Sequence, residues 1–262
     1  MRRDTGVMRR NDKRKRGAWA PVQAHFFAFL LARPKKGDTL AANSQPEGMT
    51  VMTDIDASLV SLVSKAGGRA VATPVSALFL RRWSSRAMTG EPVPDSVLLA
   101  VFEAARYAPS AYNSQPWRFV YARKGETAFD SLVASLSEGN QPWAREASAL
   151  IVAASKADFT PPDHTGSIEM GSASFDAGAA WASLAFQAAL LGWTTHAMGG
   201  FDREKARAAV KAPASLKLEA IIALGKRGDA AKLPPDKQAL EKPNARRELF
   251  RTAFPGAFPD DA

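Results

Sequence analysis

Arg82, Ser84 and Arg86 alternate along the short segment RWSSR. In an extended chain successive side chains point to opposite faces, so these three share one side. Two guanidiniums and a hydroxyl on one side suit an anionic phosphate and an electron-rich ring edge. Taken by itself, the segment reads equally well as a solvated basic loop. A second stretch, Ala108–Trp117 (APSAYNSQPW), sets Ser110, Asn113, Ser114 and Gln115 between Pro109 and Pro116. The prolines restrict the backbone at both ends, and the side chains between them are neutral donors and acceptors. A heteroaromatic ring with several carbonyls and nitrogens needs such groups. A capping loop between a helix and a strand has the same composition.

Other chemistries find little support. There is no cysteine, which rules out disulfides and thiolate metal sites and suits a reducing, cytoplasmic setting. His25, His164 and His196 are far apart in sequence, so no metal site is expected and a serine–histidine hydrolase is weakly supported. No Gly-x-Gly-x-x-Gly strand–turn–helix unit is present, so a separate dinucleotide domain is unsupported.

The net charge of +9 is unevenly distributed. Residues 1–50 carry eleven Lys/Arg against four Asp/Glu, a surplus of seven, which leaves +2 for the remaining 212 residues. The basicity belongs to the tail, and nucleic-acid binding by the body is not expected. The run Arg9–Arg16 is a block of like charge, followed by the apolar stretch Ala24–Ala32. Nine apolar residues fall far short of the roughly 20 that span a bilayer. An export or targeting segment, a basic arm and an extension upstream of the true start all fit. Met49 and Met52, just ahead of the first helix-like segment, favour the last. Residues 1–70 are therefore expected to be a basic, disordered extension, and residues 71–262 the catalytic domain.

The elements that must position these groups follow from periodicity. Asp54–Val63 is compatible with a short helix stopped by Gly67-Gly68. Pro94-Asp95 opens an amphipathic helix with Val97, Leu98, Val101, Phe102 and Ala105 at helical spacing, ending near Ala108-Pro109. Arg118–Arg123 reads as a strand and Phe129–Leu136 as a short helix. The continuous apolar run Ala149–Ala154 predicts a strand buried on both faces. Ser172–Leu191 is apolar nearly all round, which demands burial on several sides and suggests a subunit interface. Gly192 ends it. Thr194–Met198 and Glu219–Leu224 read as strands, with a helix at Arg203–Val210 between them. Helices and strands without strict alternation predict an α+β fold.

Together the two polar segments resemble the FMN-dependent nitroreductase family. Its members open with Arg-x-Ser-x-Arg and continue, after the next helix, with Pro-Ser-x-x-Asn-x-Gln-Pro-Trp. The likeness extends over residues 74–262. Asn140, seven residues before Ala147, falls where the family often has a flavin-contacting Asn. Met198-Gly199-Gly200-Phe201 matches its glycine turn beside the flavin. Asn244–Leu249 (NARREL) is similar to its C-terminal arginine segment.

The resemblance implies a central mixed or antiparallel sheet flanked by helices in an intertwined homodimer. It assigns Arg82, Trp83, Ser84 and Arg86 to FMN from one subunit, with Arg86 near the pyrimidine edge. Pro109, Ser110, Ala111 and Asn113 would approach the ring from the partner. Asn140 would hydrogen-bond the ring, Gly199 and Gly200 would face flavin N5 through their backbone, and Arg246, or Arg247, would hold the phosphate. Two positions depart from the family's pattern. Trp83 stands where a basic or small polar residue is commoner, and Trp143 where some members have a lysine near the flavin; both could narrow or reshape the pocket. The implied activity is a ping-pong hydride transfer through flavin N5 from NADH or NADPH to a small electron-poor acceptor, such as a nitroaromatic or a quinone. No protein side chain need be a nucleophile. The same motifs also fit a flavin-binding protein without turnover, or a flavin-consuming or dehalogenating relative.

Overall fold

The computed structural model describes residues 57–259. The basic block Arg9–Arg16 and the apolar run Ala24–Ala32 lie outside the described residues. The first elements are a 3-10 turn at Ala57–Leu59, the strands β1 (Leu62–Ala66) and β2 (Arg69–Ser76), and the short helix α1 (Ala77–Arg81). The hairpin replaces the short helix expected over Asp54–Val63. Leu62 and Val63 pair with Ser76 and Val75, a cross-strand partnership that local apolar spacing does not reveal. Gly67 and Gly68 turn the hairpin with φ of +56° and +75°, the left-handed backbone of a two-residue turn matched to strand twist. A Cβ on Gly67 would also sit 3.0 Å from the Leu80 carbonyl oxygen. Because β2 runs through position 71, the hairpin begins ahead of the boundary drawn from composition.

The body then runs through α2 (Asp95–Arg106), β3 (Trp117–Arg123), α3 (Thr127–Ser135), α4 (Gln141–Ala144) and β4 (Ala149–Lys156). After the small pair β5 (Asp158–Phe159) and β6 (Ile168–Glu169) come the long helix α5 (Ala173–Leu190) and β7 (Thr194–Met198). The helix α6 (Arg203–Val210), β8 (Leu216–Gly225) and the short α7 (Pro235–Gln238) complete the order. Four strands form one wholly antiparallel sheet in the order β3-β4-β8-β7. Its register sets Tyr121, Ile151, Ile222 and Ala197 side by side in one row. The α+β architecture expected from the element pattern is thus present.

The apolar run of β4 divides the interior. Leu150, Val152 and Ala154 enter one core with Phe129 and Leu132 of α3 and Ala206 of α6. Ala149, Ile151 and Ala153 enter the other, with Val97, Leu98 and Val101 of α2 and Ala177, Ala180, Leu184 and Ala188 of α5. Alternation along a strand sends neighbours to opposite faces, so a strand covered on both sides must be apolar throughout. The small residues Ala177, Ala180 and Ala188 give α5 a smooth face against the sheet and α2. Its second apolar face, with Ala179, Ala182, Phe186 and Ala189, is only half buried. Phe79 of α1, 53% exposed, meets Phe186 there edge to face with centroids 4.9 Å apart. Among the described residues no helix is long and apolar enough to cross a membrane.

Leu184 is 0% exposed at the middle of the α5 packing. Leu184→Ala is expected to cost about 2–5 kcal/mol, because the sheet and α2 close only partly over the lost volume. Urea unfolding measures this, and an unshifted midpoint would mean that α5 is not the element that closes this core.

Candidate functional site

The segment after α1 alternates as its spacing predicts. Trp83, Ser85 and Ala87 are buried, while Arg82, Ser84 and Arg86 are half buried on the opposite side. Those three line a cavity of about 180 Å³ together with Arg69, Lys242, Asn244 and Arg246. Five cations thus face one small space, and among the described residues no carboxylate lines it. Arg69 reaches it from β2 and is pinned in place, donating from Nε to the Asn244 carbonyl (2.9 Å) and from Nη1 to the carbonyls of Leu80 (3.1 Å) and Arg82 (3.0 Å). Burial, and then the charges of Arg69 and Arg246, hold the Arg82 guanidinium below its usual range. Like charges gathered in a partly dry cavity repel, and an anion with several acceptor oxygens relieves that repulsion.

One carboxylate holds the arrangement together from behind. Glu241 accepts from the Ser85 hydroxyl and from the backbone N–H groups of Arg86 and Ala87, the last two at 3.0 Å. Hydrogen bonds to an ionised acceptor are about twice as strong as neutral ones. They tie the segment carrying Lys242, Asn244 and Arg246 to the arginine segment across 155 residues.

His196 of β7 also lines the cavity. Its Nδ1 lies 3.2 Å from the Ser85 carbonyl oxygen. A carbonyl can only accept, so the proton of the neutral ring sits on Nδ1 and Nε2 is left as an acceptor. Burial, and then the positive charge of Arg86, pushes the His196 pKa down to about 4. The ring packs against Trp143 with centroids 4.7 Å apart. Trp143 is 1% exposed, belongs to the core on the α3 side and does not line the cavity. Within one chain Trp143 backs the histidine and does not line this cavity. Trp83 does line the cavity, and Arg227 stacks over its ring at 5.2 Å.

Two further groups of expected site residues are elsewhere in the chain. Asn140 and Gly200 adjoin one another at the end of β7, where the Ser137 N–H donates to the Gly200 carbonyl at 2.9 Å and the Asn140 amide to the Ser137 hydroxyl at 3.1 Å. A Cβ on Gly200 would sit 3.1 Å from that hydroxyl, whereas Gly199 faces open space. Pro109, Ser110, Ala111 and Asn113 do not line the cation-rich cavity. The Ala111 N–H donates to Asp176 in the first turn of α5. Arg82 and Trp83 instead border Ala185 and Ala189, towards the other end of that helix. At 1.5 Å per residue the two ends stand about 20 Å apart. Arg247 is exposed and also lies outside the cavity's lining.

Arg69, Glu241, Lys242, Asn244 and His196 are site residues that local sequence reading misses. Arg69 lies in a strand pairing hidden from periodicity, and Glu241 has no distinctive neighbours. His196 had the one usable signal, the lone ionisable residue of a strand shortly before a Gly-Gly turn.

A family model described as the nitroreductase family matches residues 80–226. A protein of Ralstonia nicotianae provisionally named NADH dehydrogenase/NAD(P)H nitroreductase is 32% identical over 172 residues, spanning 60% of this chain and 87% of its own length. A Streptomyces coelicolor protein with the same provisional name is 37% identical over 89 residues, of which the chain spans only 43%. Among solved structures, one described as an oxidoreductase containing FMN is 42% identical, with a TM-score of 0.72 over 75% of this chain and 99% of that one. A nitroreductase family protein of Clostridium difficile, 18% identical, shares the fold with a TM-score of 0.54 over 69% of this chain and 97% of its own.

The histidine yields a pH signature. Its folded pKa of about 4 lies below the ordinary value near 6.5, so between those limits the unfolded chain binds more protons. Its contribution to stability is complete above about pH 6.5 and is lost as pH falls towards 4. Thermal melts of wild type and His196→Gln should therefore differ by a constant amount at neutral pH and converge through that acid window. A difference independent of pH would contradict the assignment.

Proposed function

The chain belongs to the nitroreductase family, and from that premise we propose that it is an FMN-dependent oxidoreductase taking electrons from NADH or NADPH. The acceptor in this reading is a small electron-poor molecule such as a nitroaromatic or a quinone. The observation that carries it is the cavity ringed by Arg69, Arg82, Arg86, Lys242 and Arg246, with Arg82 held below its usual range by burial and then by its cationic neighbours. A phosphate monoester fits that donor set. The neutral amide of Asn140 and the polar groups of Ser110 and Asn113 suit a carbonyl-rich ring. The FMN content of the 42%-identical oxidoreductase supports the same choice of cofactor.

Bound in this site, FMN would supply two-electron chemistry, linking oxidation of a nicotinamide to reduction of the acceptor in two half-reactions. The protein's share is binding, orientation and electrostatics. Arg82, with Arg69 and Arg246, would hold the phosphate. Arg86, anchored through its own N–H by Glu241, keeps a cation where negative charge accumulates on the pyrimidine side. Neutral His196 adds no competing charge at pH 7 and braces Ser85. Gly199, open to solvent, would leave its side of a bound flavin free of side chains. Nicotinamide and acceptor would use the same space in turn.

We also propose that the working unit is a homodimer in which each site draws on both subunits. Two observations support it. The loop Pro109–Asn113 and the arginine segment stand at opposite ends of α5, too far apart to close on one ring within one chain. The half-buried apolar face of α5, with Phe79 beside it, remains to be covered by a second copy.

Protein purified from cells is expected to be yellow, to release FMN on denaturation and to bleach anaerobically with NADH or NADPH. Colourless protein that takes up no added FMN would overturn the cofactor assignment, and bound flavin that neither nicotinamide reduces would overturn the activity. Arg86→Ala and Asn113→Ala homodimers should each bind FMN weakly. Doubly tagged heterodimers of the two should recover one intact site. Absence of recovery in proven heterodimers would leave FMN binding standing and remove the shared site.

A further inference from the structure

We propose that Asp176 is a positioning residue that holds the Pro109–Asn113 loop in the shape with which it completes the other subunit's flavin site. The proposal rests on the shared-site reading above. Asp176 is a carboxylate 4% exposed, in the first turn of α5. Its Oδ2 accepts from the Ala111 N–H and from the Ser172 hydroxyl, both at 3.1 Å. Ala111 begins the 3-10 turn Ala111–Asn113, and there the backbone turns unfavourable. Tyr112, Asn113 and Gln115 have φ of +53°, +52° and +47°, the left-handed region that residues bearing a Cβ disfavour. Such backbone persists only where the surroundings over-determine it, and it clusters at ligand sites.

Most of the bonds that shape the turn are internal to it. Asn113 N–H donates to the Ser110 carbonyl at 3.1 Å, Ser114 N–H to the Ala111 carbonyl at 3.0 Å and Gln115 N–H to the Ser110 hydroxyl at 3.0 Å. These bonds stabilise the turn but do not orient it against the rest of the fold. Asp176 joins it to the helix whose other end borders Arg82 and Trp83. Meanwhile the turn carries its side chains outward, with Tyr112 79% exposed. A strained, outward-facing turn tied from below by a buried carboxylate is built to present groups to something beyond its own chain. An acidic residue in the first turn also favours the helix dipole, but that role needs only charge near the N-terminus. It does not need a bond to Ala111.

The test uses full-length protein and reads FMN retention by equilibrium dialysis, with the flavin absorbance band as a second readout. Asp176→Ala is expected to weaken FMN binding about tenfold or more by releasing the Ala111 N–H. Asp176→Asn, which removes the charge and keeps an acceptor oxygen, should hold FMN nearly as wild type does. In tagged heterodimers, Asp176→Ala paired with Arg86→Ala should recover one FMN site, since one site then combines a normal arginine segment with a normal loop. Asp176→Ala paired with Asn113→Ala should recover none, because both defects fall on the loop. Should Asp176→Ala fail to fold, Ala111→Pro, which deletes the donor and leaves α5 intact, takes its place in both pairings. Recovery with Asn113→Ala but not with Arg86→Ala would overturn the proposal. So would wild-type FMN retention in Asp176→Ala, or equal losses in the Ala and Asn variants. If wild type itself holds no FMN, or Arg86→Ala and Asn113→Ala fail to complement, it is the underlying reading that fails.

Discussion

Five cations around a cavity of about 180 Å³ repel one another, and the fold must hold them there before any ligand arrives. Partial burial sharpens that repulsion at Arg82, because a charge removed from water is screened less, while Lys242 and Arg246 stay exposed at the rim. The protein meets this by spending backbone contacts on the arginines. Arg69 is fixed by three carbonyl oxygens, and Arg86 is held by its own N–H through Glu241. Glu241 stands out because its negative charge is turned to the amides of Arg86 and Ala87 rather than into the cavity. The cavity thus keeps its positive character while its walls remain rigid. Binding of an anion then releases a repulsion already present, and little conformational ordering is left for the ligand to bring about.

The helix α5 gives this arrangement its scale. Alanines let it lie close to the sheet and to α2, so its axis is determined by packing on two sides. One end borders the arginine segment and the other holds the polar turn through Asp176. A rod anchored in this way sets the distance between two halves of a site with little freedom to vary.

The tryptophans show how the same substitution class can act in different ways. Trp83 lies on the cavity wall under Arg227, where its bulk bears on what the cavity accepts. Trp143 is buried among core side chains and meets the cavity only through the ring of His196. Its contribution is to desolvate that histidine, which together with Arg86 keeps the ring neutral over the physiological range. Substitutions at the two positions would therefore change different properties, one the shape of the cavity and the other the charge beside it.

Much of this protein is legible in its sequence. The alternation of Arg82, Ser84 and Arg86, the two-sided burial of Ala149–Ala154 and the span of α5 all follow from period and composition, because each depends on local geometry that repeats every two or 3.6 residues. The opening hairpin was not legible, since strand pairing depends on a partner further along the chain. Nor were the partners of the arginines. Glu241 sits 155 residues from the backbone it binds, and Arg69 donates to a carbonyl 175 residues away. By itself, then, the sequence determined which elements form and which residues carry the polar chemistry. Only the tertiary structure decided which of them share a cavity, which charge is turned away from it and which polar loop lies out of its reach, because contacts between distant segments are set by how the layers pack and leave no periodic trace along the chain.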